Sequence, residues 1–255
     1  KPIDIWRNKI KNCKFDCWKC NYCDSVVHSR LKRQDRELDE DVKLVLESID
    51  KSARLQSEFV SDGFKYVGLS SDRIRHLLNN LCSKKDGVYL ELGVYSGSTF
   101  HAATMNRDLV AFGIDNYSQG SVSPFREDLK IDIPNTEDAY ATFFRGMKEN
   151  QHFFKIDIKE LRPEHLYKKS PNIIFYDADH DPQQQYDNLT YLLPALADKF
   201  ILVIDDANFN GVIESAEIFV EQHNLEILFQ RKILTTIPED VNSWWNGLYI
   251  LVLKK

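Results

Sequence analysis

The chain has 255 residues, 43% of them hydrophobic and 28% charged, with a formal net charge of −6 and a pI near 5.7. This supplies the core of one ordinary domain plus an appendage. The acidic balance argues against a protein that coats nucleic acid, and no uninterrupted apolar run approaches the ~20 residues of a membrane span. No secretory leader pattern opens the chain, so a cytoplasmic location is expected. A first residue Lys1 in place of Met reads as a fragment or a trimmed chain.

Residues 1–36 hold ten Lys/Arg against four Asp, a basic arm on an otherwise acidic chain. Such a segment either touches a phosphate-bearing partner or is solvated, the second being the commoner case. It contains four of the five cysteines, in the pattern Cys13-x3-Cys17-x2-Cys20-x2-Cys23. With no sign of an oxidising compartment, a metal centre is expected before disulfides. Structural zinc favours two Cys-x2-Cys knuckles on separated turns. Here two residues part the first cysteine pair from the second. That compression is closer to iron–sulfur ligation, in which one short loop wraps a cube. A [4Fe–4S] cluster is the first expectation, zinc the second, and unligated thiols the third. Cys82, alone near a helix end, is expected to be a buried small residue.

From Leu38 to about Val60, the residues Leu38, Val42, Val45, Ile49 and Ala53 recur at three- and four-residue steps, with Phe59 six residues further on, which predicts an amphipathic helix. Ser61-Asp62-Gly63 breaks it. Residues 1–60 are thus an arm plus a helix, and 61–255 a larger unit. Ser70 or Ser71 is expected to cap a helix running to about Cys82. The stretch Val88–Asp115, VYLELGVYSGSTFHAATMNRDLVAFGID, reads as an apolar strand, a glycine turn, a helix and a second strand ending in an acid. This is a βαβ unit of a nucleotide-binding α/β fold. Gly93 and Gly97 let the backbone turn tightly. Ser96, Ser98 and Thr99 are candidate helix caps, and Asp115 is placed to accept both hydroxyls of a ribose.

The polar stretch 116–135 is long for a plain connection and reads as a lid. Further elements are predicted as a helix over 136–150, a strand over 153–158 ending near Asp157, a buried strand over 172–177, and a helix over 181–197. A strand over 200–205, a helix over 211–223, and strands over 225–229 and 248–253 complete the chain. Strands alternating with helices imply an α/β, doubly wound, mostly parallel sheet. Two acidic clusters then share one sheet edge: Asp177, Asp179 and Asp181 with His180 after one strand, and Asp205-Asp206 after the next. Carboxylates crowded there repel one another unless a hard cation such as magnesium or calcium sits between them. His180, an imidazole and so able both to accept and to donate, either takes a proton from a substrate or serves as a hydrogen-bonding neighbour.

The turn Glu91-Leu-Gly-Val-Tyr-Ser-Gly-Ser-Thr99 lacks the third glycine of a dinucleotide fingerprint. It resembles the first motif of class I S-adenosylmethionine (SAM) methyltransferases, in the form seen in the catechol and caffeoyl-CoA O-methyltransferase group. FYDADHDPQQQY is similar to the metal-binding stretch of those enzymes. Together with Asp205-Asp206 it also resembles the D-x-D-H plus D-D pattern of bacterial sugar and macrolide O-methyltransferases. The plant and animal enzymes usually have Asp-Asn at the last pair, which favours the bacterial branch. The resemblance covers roughly residues 65–255.

It implies a seven-stranded Rossmann-like sheet and SAM held by Glu91, Gly93, Tyr95, Gly97, Ser98, Asp115, Asn116 and Asp157. It further implies a divalent cation, magnesium first, on Asp177, Asp205 and Asp206, with Asp177 and His180 in catalysis. The acceptor would be a small molecule (a sugar, phenol or natural product) methylated on a hydroxyl. No membrane or nucleic-acid partner is expected, whereas a homo-oligomer and a protein partner at the arm are compatible with it. Two rival readings are a non-catalytic binding or redox-partner domain docking through the cysteine site, and the C-terminal part of a larger multidomain enzyme. The first three cysteines also have radical-SAM spacing, but that family's barrel pattern is missing, so radical chemistry is not expected.

Overall fold

The computed structural model describes residues 38–255 apart from 63, 65–67, 119–124, 127–130 and 133–135. Cys13, Cys17, Cys20 and Cys23, with the iron–sulfur or zinc centre expected on them, lie outside the described residues, as does most of the expected lid. The strands in chain order are β1 (Val88–Leu92), β2 (Val110–Ile114), β3 (Phe125–Arg126), β4 (Ile131–Asp132), β5 (Gln151–Phe154), β6 (Ile173–Tyr176), β7 (Lys199–Ile204), β8 (Glu226–Ile233) and β9 (Leu248–Lys254). Seven of them form one sheet in the order β5-β2-β1-β6-β7-β9-β8, and β3 pairs with β4 in a separate ribbon. Strands β5, β2, β1, β6 and β7 run parallel, while β9 is antiparallel to both β7 and β8. This is the seven-stranded, mostly parallel Rossmann-like sheet that was expected.

The helices are α1 (Glu40–Ala53), α2 (Asp72–Leu81), α3 (Ser98–Thr104), α4 (Thr136–Arg145), α5 (Pro182–Leu192) and α6 (Val212–Gln222). Alternation along the strands divides the core into two layers. Tyr89, Ala111, Ile173, Phe175, Ile201 and Val203 face one way, with Val42 and Val45 of α1, Leu77 and Leu78 of α2 and Phe100 of α3. Leu90, Phe112, Ile174, Tyr176, Leu202 and Ile204 face the other way, with Leu189 of α5 and Phe219 of α6. Each such fully buried apolar side chain favours the folded state by about 1.5–3 kcal/mol.

Several boundaries differ from the sequence expectation for local reasons. Helix α1 stops at Ala53 rather than near Val60, because Leu55 takes a left-handed φ of 54°. Its start is capped by Asp39, whose carboxylate accepts from the N–H of Asp41 at 2.9 Å. Ser71 caps α2 as expected, accepting from Ile74 N–H. Helix α4 ends at Arg145, short of Asn150, and α5 gives way to a 3-10 turn over Leu193–Ala195. Strand β5 ends at Phe154, so Asp157 lies beyond the sheet. Strand β8 runs on to Ile233, past the expected Phe229.

Two further contacts fix the helical layer that covers the glycine turn. The Asn79 side chain of α2 donates to the carbonyls of Ala102, Ala103 and Met105, closing the end of α3. Asp41 of α1 is buried and forms ion pairs with Lys84 and Lys199; the second, at 3.3 Å from Oδ2, is not aligned as a hydrogen bond. Asp39 holds Lys199 at 2.8 Å. These pairs tie α1 to the start of β7 and to the loop before β1.

Candidate functional site

The parallel strands all deliver their carboxyl ends to one edge, so the chain emerges there at Gly93, Asp115, Asp177 and Asp205. Gly93 has φ 88°, and a Cβ built on it would lie 2.0 Å from the carbonyl oxygen of Asp177. Only glycine allows this approach. The glycine turn and the first acidic cluster are therefore packed back to back. Gly97, at φ 79°, is the residue before α3 and has no side-chain cap. The capping expected of Ser96, Ser98 or Thr99 is thus replaced by a left-handed glycine, with Ser98 and Thr99 inside the first turn. A Cβ at Gly97 would meet Phe143 at 2.3 Å.

Glu91 is completely buried beneath the turn. Its carboxyl binds the Thr99 hydroxyl at 2.6 Å and the Tyr89 hydroxyl at 2.5 Å. Burial pushes its pKa up to about 8. Both of its oxygens are thus turned inward to hold the turn.

Asp115 accepts from Tyr95 N–H at 2.8 Å with one carboxylate oxygen and from Tyr117 N–H at 2.7 Å with the other. The Tyr117 hydroxyl donates to the Tyr95 carbonyl at 2.7 Å, closing a small ring of contacts around the acid. Tyr95 and Tyr117 both have left-handed φ values, 46° and 52°. Asn116 donates to Asp157 at 3.2 Å, and Asp157 caps the 3-10 turn Ile158–Glu160. Four of the expected cofactor residues, Tyr95, Asp115, Asn116 and Asp157, are thereby linked around the ends of β1 and β2 and the segment after β5.

The second cluster gathers at the ends of β6 and β7. His180 Nε2 lies 2.7 Å from Asp206 Oδ2. Single ligand atoms of Asp177, His180 and Asp206 all lie within 4.8 Å of one another, a spacing at which a metal ion fits. Asp205 was expected beside Asp177 and Asp206 as a ligand. Its Oδ1 instead accepts the N–H of Asp206 at 2.9 Å, and His180 stands in the compact set in its place. Asp206 has φ 55° and its Oδ1 is buried with no hydrogen-bond partner among the described residues. Asp177 is held well above the usual carboxylate range, first by burial and then by the charges of Asp205 and Asp206. Asp205 is raised in the same way. An imidazole, two carboxylates, an unpartnered buried oxygen and mutual repulsion are what a divalent cation relieves.

Sequence reasoning missed two neighbours of the site. Phe209 packs edge-on against His180, with ring centroids 5.6 Å apart, and is 44% exposed. Arg75 of α2 reaches the glycine turn and donates to the Ser98 hydroxyl through both Nε and Nη2. Its only sequence signal is an Asp72–Arg75 spacing that reads as an ordinary ion pair on a helix surface.

A family model described as "Methyltransferase domain" matches residues 90–207. No curated protein matches. Among solved structures, an O-methyltransferase from Bacillus cereus in complex with S-adenosylhomocysteine is 12% identical, with 90% of this chain and 97% of that one covered and a TM-score of 0.47. The O-methyltransferase NovP is 14% identical over 71% of this chain and 77% of its own, with a TM-score of 0.48. A Streptococcus mutans protein assigned as a SAM-dependent methyltransferase is 14% identical, with a TM-score of 0.48; 75% of this chain is covered, and the chain spans 50% of that protein's length. Residues 90–207 include the glycine turn, Asp115, Asp177, His180 and the Asp205–Asp206 pair, so the matched segment is the one that builds the site. The chain thus carries a Rossmann-like seven-stranded sheet, and residues 90–207 of it are similar to a methyltransferase domain.

Proposed function

We propose that the chain transfers the methyl group of SAM to a hydroxyl oxygen of a small-molecule acceptor, with a divalent cation assisting. The observation that carries this reading is the contact between Gly93 and Asp177, which sets the nucleotide turn directly against the acid cluster. A methyl donor on the turn and an acceptor at the cluster would then be neighbours, and positioning two reactants in this way supplies much of a methyl transferase's acceleration.

Gly93, Tyr95, Gly97, Ser98, Asp115, Asn116 and Asp157 surround the cofactor in this reading, with Asp115 on the ribose and Glu91 supporting the turn from beneath. Asp177 and Asp206 would hold the cation, with Asp205 beside them. The chemistry supplied there is a lowered pKa for the acceptor hydroxyl. His180 acts as the base. A carboxylate can only accept, so the contact with Asp206 requires His180 to carry its proton on Nε2. That tautomer leaves the lone pair on Nδ1, which takes the acceptor's proton. Oxygen ligands favour magnesium, and the nearby imidazole makes manganese a reasonable second ion.

The test is methyl transfer from labelled SAM to a panel of simple phenols and sugars. Transfer should vanish in excess chelator and return with magnesium or manganese. His180→Gln should lose about 100-fold or more in rate, the usual contribution of a general base. Full transfer in chelator, with no metal by elemental analysis, rules out the cation. Transfer to nitrogen or carbon acceptors alone rules out the hydroxyl.

A further inference from the structure

The loop that carries Asp205 and Asp206 is fastened to the connection between β8 and β9, which has no role in the site described so far. Asp206 has a left-handed φ of 55°, a conformation that persists only where the surroundings fix it. A turn closes directly after it, with Phe209 N–H donating to the Asp206 carbonyl at 2.9 Å. Within that turn, Ala207 N–H donates to the Gly247 carbonyl at 3.2 Å and Asn208 N–H to the Asn246 carbonyl at 2.9 Å. Both of these partners lie just before β9.

The Asn208 side chain reaches the other end of the same connection, just after β8. Its Nδ2 donates to the Thr235 carbonyl at 2.9 Å and to Thr235 Oγ1 at 2.8 Å, while its Oδ1 accepts Thr235 N–H at 3.1 Å. The amide thus pairs with one backbone residue through both its donor and its acceptor, as a neighbouring strand would. The N–H and C=O of Thr235 together dictate which end of the amide is nitrogen. Thr235 Oγ1 gives its own proton to the Trp245 carbonyl at 3.0 Å. The backbone at Gly247 lies against the amide, since a Cβ there would be 2.6 Å from Asn208 Oδ1.

We infer that Asn208 is a positioning residue for the cation site: by pairing with Thr235 it holds the Asp206–Phe209 turn, and so keeps the Asp206 carboxylate facing Asp177 and His180. This rests on the reading of the acid cluster as a divalent-cation site. The 2.7 Å contact of Asp206 with His180, and the unpartnered Oδ1 of Asp206, both depend on where that turn lies. Carboxylates gathered at one point repel one another, so the turn needs a fastening that adds no charge of its own. A neutral amide paired with backbone is such a fastening.

The experiment is binding of manganese(II) to the full chain, followed by calorimetry and by the EPR signal of the free ion. Asn208→Asp is the deciding variant. By charge alone, one more carboxylate near the acids should tighten a cation. By positioning, it should loosen it, because a carboxylate has no donor for the Thr235 carbonyl. Asn208→Asp and Asn208→Ala are each expected to weaken manganese about tenfold or more, the usual loss when a group that orients a metal ligand is removed. Thr235→Ser keeps the hydroxyl and the backbone pair, and should stay within about twofold of wild type. A purely structural role would lower the melting temperature of the metal-free protein and leave the affinity of the folded chain unchanged. Unchanged or tighter manganese binding in Asn208→Asp therefore overturns the proposal, whatever the melting temperature does. If Asn208→Asp does not fold, unchanged binding in Asn208→Ala overturns it instead. If the wild type binds no manganese, the cation reading itself fails and takes this role of Asn208 with it.

Discussion

Each oxygen of Asp115 already accepts one backbone N–H, from Tyr95 and from Tyr117. A carboxylate oxygen has room for a second donor, so Asp115 shapes the turn and still has room for two further donors, which the proposed cofactor's ribose would supply. In Asp115→Ala, binding of S-adenosylhomocysteine is expected to weaken by about 1.5–3 kcal/mol; unchanged affinity by calorimetry would take Asp115 out of the cofactor site. Glu91 shows the reverse environment. Its folded pKa of about 8 stands above the ordinary value of 4.5. Between those values the folded state holds a proton that the unfolded state has lost. Stability from this group is therefore highest below 4.5, falls as pH rises towards 8 by at most about 1.4 kcal/mol per unit, and levels off above. His101, held down to about 4 by burial, acts with the opposite sign below pH 6.5 and leaves the higher range to Glu91. Thermal unfolding between about pH 6.5 and 8.5 should thus be flatter for Glu91→Gln than for wild type, and parallel profiles would refute the assignment. The acids of the site were legible in the sequence because each follows an apolar strand directly. Arg75 was not, since its contact with Ser98 spans 23 residues and exists only in the folded chain.

At the scale of elements, polar pins decide how α1 sits. Asp41 is buried, and its two lysine partners come from segments far along the chain. Removing one member of such a set leaves a part-buried charge without its counterion. Asp41→Ala is expected to cost about 3 kcal/mol in urea unfolding, whereas Lys51→Ala, which loses an exposed pair with Glu47, should cost less than about 1 kcal/mol. Similar losses for the two variants would mean that the Asp41 cluster is no stronger than a surface pair. The strands that were easiest to read, β1, β6 and β7, are apolar runs buried on both faces. Strand β8 was read short because it is a sheet edge. Its residues Gln230, Arg231 and Lys232 look like loop, although they pair in register with β9. The end of α1 was misread because Phe59, an apolar residue six positions after Ala53, was counted into the helical stripe while belonging to the segment beyond it. It is buried against His76 of α2 rather than carried on α1.

Across the whole molecule the site depends on pairings between distant parts of the sequence. Strands β1, β2, β6 and β7 must all be in place before Gly93, Asp115, Asp177 and Asp206 share one edge. Among the described residues no helix is long and apolar enough to cross a membrane, and the apolar strands are instead sealed between two helical layers. The approach of Gly93 to the Asp177 carbonyl bears on how the chain folds. The partners lie 84 positions apart, with β2, β5 and β6 between them, and closing so long a loop delays the contacts that depend on it. The turn has its final wall only after β6 has docked beside β1, so a chain halfway through folding carries the glycine sequence without the binding surface. With the cofactor site proposed above, ligand recognition is then a late event in folding. In stopped-flow refolding, capture of a fluorescent S-adenosylhomocysteine analogue should coincide with the last phase of tryptophan burial and never precede it.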